Sequence, residues 1–214
     1  DETNSREIPL MDQFSSGMID EILRSSNGKI GNTQVESAND LIDHFLEKDK
    51  KKAESLMREF TERVTKGRDK DTLKQWVVGY KEPELQAGTA QRVIESGVFD
   101  KNPLEAVEFA NSLESTKAKR SALSSAYARL AGGVNGHDPN ITATELNAME
   151  DGWQRDFALN GFAHGLVRKD PEAAIQWANS ISNEGFRKVV TKNVTKRINA
   201  EVLPRLNSQG ASKN

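Results

Sequence analysis

The chain has 214 residues, of which 36% are hydrophobic, 29% charged and 6% aromatic, and a net charge of −2. That length allows a packed core, and the low apolar content suits a thin helical protein with much surface for its core. The balanced charge disfavours a nucleic-acid binder. The absence of cysteine excludes disulfides and thiolate metal sites, and no apolar run reaches the ~18 residues of a membrane span.

The chain begins with the polar, turn-prone Asp1-Glu2-Thr3-Asn4-Ser5-Arg6-Glu7 and no Met. This looks like a processed N-terminus, compatible with export to the periplasm or outside, with the cytoplasm as the alternative. Met11, Phe14, Met18, Ile19, Ile22 and Leu23 then recur at helical spacing, and Ser25-Ser26-Asn27-Gly28 and Gly31-Asn32 read as a loose loop. Residues 1–34 are expected to be an extension whose helix covers the open end of a stack, or docks on a partner.

From residue 35 onward helical stripes come in pairs. Ser37–Glu47 carries Ala38, Leu41, Ile42 and Phe45, and Lys50–Thr65 carries Ala53, Leu56, Met57, Phe60 and Val64. Thr72–Tyr80, with Trp76, is followed by Glu84–Val98. In the next pair Ala106, Phe109, Ala110 and Leu113 precede a helix that starts at Ser115-Thr116 and carries Ala122, Leu123, Ala126, Tyr127 and Leu130. After Gly132-Gly133 and Gly136, read as helix termination, Asp138-Pro139 opens a weaker pair. It comprises Ile141–Met149, then a helix from about Trp153 to Val167 through Phe157, Leu159, Phe162 and Leu166. Asp170-Pro171 opens the last pair, with Ala174, Trp177, Ala178 and Ile181, a break at Asn183-Glu184-Gly185, and then Phe186, Val189, Val190, Val194 and Ile198. Residues 206–214 are expected to be a flexible tail.

The pairs are related. Asn102–Leu113 aligns without a gap on Asp170–Ile181, an offset of 68 residues, or twice 34, with Asp138-Pro139 between them. Asp69 and Trp76 stand 101 residues before Asp170 and Trp177, close to three periods. A period near 34 is that of one helical hairpin. What recurs is a helix cap, a Pro that can occupy the first helical position, and an apolar stripe.

This layout resembles tandem helical hairpins of the tetratricopeptide type. Proline precedes the first-helix aromatic by six residues in Pro171–Trp177 and Pro103–Phe109. Ala178-Asn179-Ser180 stands where a Leu-Gly pair is usual, so the Asp-Pro-x-Ala-Ala-x-x-Trp-Ala pattern is more similar to divergent bacterial repeats. The resemblance implies an all-α, right-handed α-solenoid of about five hairpins, or ten helices, over residues 35–205, with an N-terminal capping helix. It also implies a scaffold or recognition role.

Candidate chemistry is sparse. His44, His137 and His164 fall in three different hairpins without ligand spacing, so no metal site is expected. The acid pairs Glu82/Glu84, Glu150/Asp151 and Asp69/Asp71 lie at helix starts, where carboxylates serve the helix dipole. Asp49-Lys50-Lys51-Lys52 reads as a solvated face. Asn140-Ile141-Thr142 and Asn193-Val194-Thr195 match a glycosylation acceptor, a pattern common by chance. The recurring Asn111-Ser112 and Asn179-Ser180 read first as groups bonding the backbone where the first helix ends. No catalytic residue, cofactor or metal is expected.

The leading expectation is therefore a non-enzymatic protein- or peptide-binding scaffold, its partner unidentified by the sequence. First-helix residues off the core stripe, Gln75, Glu108 and Gln176, together with Asn111 and Asn179, would meet that partner along a concave face. The alternatives are a nucleic-acid-binding hairpin array and, further off, a helical hydrolase or lyase built on a converging polar cluster.

Overall fold

The computed structural model describes residues 17, 19–24, 30–67, 70–80, 82–202 and 204. Among these residues the chain is all-α, with eleven helices, one short 3-10 turn and no strand. It divides into two compact units, Asp1–Val98 and Phe99–Asn214.

The first unit holds α1 (residues 19–24), α2 (Asn32–Leu46), α3 (Lys50–Gly67), α4 (Lys70–Val78) and α5 (Pro83–Glu95). Of the N-terminal stripe, Ile19 is buried, and Asp20 pairs with Arg63 of α3. Met11, Phe14, Met18, the Ser25–Gly28 loop, Asp69 and the 206–214 tail lie outside the described residues. The loop expected at Gly31-Asn32 ends sooner, because Asn32 is already helical. The Gly31 N–H donates to Gln34 Oε1 at 3.0 Å, closing the first turn.

Helix α2 packs on α3 and α4, and α5 packs on α3 and α4. The stripes Ala38/Leu41/Ile42/Phe45 and Ala53/Leu56/Met57/Phe60/Val64 are all buried, as their 3.6-residue spacing requires. At the centre Trp76 lies 4.4 Å from Phe60 and 4.8 Å from Tyr80. Its indole Nε1–H donates to Thr61 Oγ1 at 3.0 Å, and the Thr61 hydroxyl donates to the Met57 carbonyl at 2.7 Å. A buried indole needs such a partner. Burial, and then the charge of Asp43, push the Tyr80 hydroxyl far above its ordinary pKa. Glu82 caps α5, its carboxylate accepting from the Leu85 N–H at 2.8 Å, with Pro83 opening the helix.

The second unit holds α6 (Leu104–Ser112), α7 (Thr116–Ala131), the 3-10 turn Val134–Gly136, α8 (Pro139–Ala148), α9 (Trp153–Leu166), α10 (Pro171–Asn179) and α11 (Glu184–Glu201). Three side-chain caps fall where the sequence places them. Ser115 accepts from the Ala118 N–H, Asp138 from the Asn140 N–H and Asp170 from the Ala173 N–H. The fourth differs: α6 starts at Leu104, and the Asn102 amide donates to Glu105 Oε1 instead of capping the backbone. Past Ala131 the chain turns at Gly133 and Gly136, both at positive φ, which glycine alone adopts without cost.

Helix α7 packs on α6 and, most closely of all, on α9, while α10 packs on α9 and α11. The α7–α9 seam exists because Gly161 and Gly165 bring α9 against the backbone of α7. A Cβ at Gly161 would overlap the Ser124 carbonyl, and one at Gly165 the Ala128 carbonyl. The Asn160 amide donates to Ser124 Oγ at 2.6 Å beside this contact. Several stripe positions depart from the core. Val189 and Ile141 are each 54% exposed, and Trp177, Phe157 and Phe186 are only half-buried. Trp177 meets Phe162 edge-on at 5.1 Å.

Candidate functional site

At the N-terminal end of α9 the second unit leaves a cavity of about 540 Å3. Arg120 of α7, Gly152, Trp153, Asp156 and Phe157 at the start of α9, and Ser182, Asn183 and Phe186 at the start of α11 line it. Its walls are aromatic, with Phe157 stacked on Phe186 at a centroid distance of 4.6 Å and an interplanar angle of 29°. The Arg120 guanidinium lies 5.5 Å from the Trp153 centroid and 5.3 Å from that of Phe157, within the range of a cation–π contact.

Asp156 is 4% exposed, yet its charge is accommodated. One carboxylate oxygen accepts from the Ser182 N–H at 2.7 Å and the Ser182 hydroxyl at 2.8 Å, and the other accepts from the Asn183 N–H at 3.0 Å. Asn183 in turn caps α11, accepting from the Phe186 N–H at 2.9 Å. The carboxylate thus ties the start of α11 to α9 and sets where Phe186 stands. Three donors to an ionised group are what make a buried charge tolerable.

The residues expected to meet a partner are exposed but lie elsewhere. Gln75 is on α4, Glu108 and Asn111 on α6, and Gln176 and Asn179 on α10; none of them lines the cavity. Asn179 is engaged within its own hairpin, accepting from the Thr191 hydroxyl at 3.1 Å. The neighbouring serines serve the helix ends, Ser112 donating to the Phe109 carbonyl and Ser180 to the Gln176 carbonyl.

The histidines stay apart in their local settings. His44 contacts Lys48, His137 Nε2 lies 2.7 Å from Thr142 Oγ1, and His164 Nδ1 lies 3.3 Å from an Arg197 nitrogen. Burial, and then the Arg197 charge, hold the His164 pKa below its ordinary value. Arg197 and Arg168 also hydrogen-bond Glu201 and hold its carboxyl down to about 2. Among the described residues no cluster of three or more His, Cys, Asp or Glu is arranged to hold a metal ion, and no helix is long and apolar enough to cross a membrane.

Sequence reasoning missed Arg120 and Asp156. Phe157 and Phe186 were legible as apolar positions, but periodicity does not distinguish a core ring from one that walls a cavity. No family model, curated protein or solved structure matches the chain.

Proposed function

We propose that the chain is a non-enzymatic binding protein whose tetratricopeptide-like helical hairpins form a right-handed α-solenoid that presents a surface to a protein or peptide. The observation that carries this reading is the solvent-open, aromatic-walled cavity at the start of α9, where a guanidinium lies over two rings. Half-exposed aromatic rings and arginine are the residue types that dominate binding energy at protein interfaces. The hairpin reading is supported by contacts of like with like within each unit, α2 on α4 and α3 on α5, and α7 on α9. The net charge of −2 counts against an array for nucleic acids.

Selection of a random displayed peptide library on the folded chain tests this reading. Enriched peptides that bind the soluble protein saturably, with one site per chain, are the expected result. A protein that keeps its helical circular dichroism but enriches no peptide would overturn it.

A further inference from the structure

Arg120 has no ion pair or hydrogen bond among the described residues. Its guanidinium carbon lies over the Trp153 and Phe157 rings, a contact with π faces that supplies its N–H donors with no oxygen or nitrogen acceptor. The one acid of the cavity does not take these donors, because Asp156 is occupied by Ser182 and Asn183. Further donors stand at the start of α9. Gly152 is the N-cap and has no side chain to accept from the first-turn N–H groups. A Cβ placed on Gly152 would meet nothing within 4 Å, so the space beside this N-cap residue is open. A helix N-terminus adds partial positive charge. An unpaired arginine and an uncapped helix start therefore share one cavity with the stacked Phe157 and Phe186 rings.

We propose that this cavity takes an acidic side chain of a partner peptide, with an adjacent aromatic residue of that peptide packed on Phe186. The inference rests on the peptide-binding reading above and names the chemistry of its ligand. A carboxylate matches the planar donor fork of arginine, and a second ring extends the aromatic wall in offset or edge-on contact. A nucleic acid would demand several cations to neutralise successive phosphates, and the cavity wall supplies one.

The test titrates the 15N-labelled chain with an acetylated, amidated octapeptide that carries one Asp-Phe pair among Gly and Ser. Saturable shifts are expected at the Trp153 indole and in the first turn of α9. Replacing the peptide Asp by Asn, or making Arg120→Gln in the protein, should each weaken binding about tenfold or more, the effect of one charge-assisted contact. Gly152→Asp separates binding from folding. Its carboxylate caps α9, so the melting temperature should hold or rise, while the occupied helix end should weaken the peptide by a similar factor.

Equal affinity for the Asp and Asn peptides, or no effect of Arg120→Gln, would sink the proposal. So would site shifts produced by oligouridylate, or by a Gly-Ser peptide whose only anion is its free C-terminus, in place of the Asp-Phe peptide. Shifts confined to other residues, or library-selected peptides that bind outside the cavity, overturn this inference but leave the peptide-binding reading standing. If neither the designed nor the selected peptides bind, both fail.

Discussion

In the first unit Phe60, Trp76 and Tyr80 form an interior cluster in which Trp76 is 0% exposed and its N–H is held by Thr61. In the second unit Trp153, Phe157 and Phe186 surround an open cavity with an arginine over two of the rings. The residue types are alike, so composition does not separate the two clusters; their place on the helix does. Trp76 sits within α4, between residues that pack on α2 and α5, whereas Trp153 is the first residue of α9 and has no preceding helical turn to cover it. An aromatic ring becomes core where helices close around it and its polar atom finds an internal partner. Where the packed surface ends at a helix start, the ring stays partly open to solvent.

Truncation gives the sharpest contrast between the clusters. Trp76→Ala should cost about 4 kcal/mol, chiefly through the cavity it leaves, since Thr61 keeps its bond to the Met57 carbonyl. Trp153→Ala should cost about 1 kcal/mol. Urea unfolding of the two variants checks this, and equal losses would erase the distinction between an interior and a solvent-facing cluster. Next in size is the seam that holds α9 in place. Gly161→Ala should destabilise by about 2 kcal/mol, because the new methyl meets the Ser124 carbonyl and the helices must separate. Gly152→Ala, at the cavity end of the same helix, meets open space and should cost about 1 kcal/mol or less, the loss of a glycine N-cap alone. If the two glycine variants unfolded alike, the tight and open ends of α9 would not differ as described.

The smallest effect is one of pH. His164 is held neutral by burial and by Arg197, with its pKa lowered in the fold. As pH falls below about 6.5 the unfolded chain takes up this proton first. Stability is therefore lost from that pH downward until the folded-state pKa is passed, and it is unaffected above. Melting temperatures between pH 8 and pH 5 should fall more for the wild-type chain than for His164→Gln. Parallel curves would remove His164 as the cause. Below pH 5 the depressed Glu201 carboxyl should produce a second decline, common to both proteins.

Much of the local structure was legible in the chain. The stripes of α2 and α3 are buried, and Glu82, Ser115, Asp138 and Asp170 lie where helices begin. The buried stripe of α11 narrows to Val190, Val194 and Ile198, leaving Val189 exposed. A period of 3.6 selects a face but not the width that a neighbouring helix covers. Gly161 and Gly165, four apart on α9, carried a signal for close helix approach that an inspection of apolar residues alone passes over. Arg120 carried none, since a charged residue off the stripe reads as ordinary surface.

What the sequence determined by itself are features closed within a few residues of chain. Asp170 reaches the Ala173 N–H, Asp138 that of Asn140 and Asn183 that of Phe186, so each helix start follows from adjacent residue types. The tertiary structure alone decided that Asp156 is buried, because its donors are Ser182 and Asn183, 26 and 27 residues away. It alone set Ser124 against Asn160, 36 residues apart, and placed Arg120 over rings from another helix. A cap is satisfied by its own turn and is written locally. A buried charge or an unpaired cation is defined by which groups other helices bring to it, and those groups meet only when the helices pack.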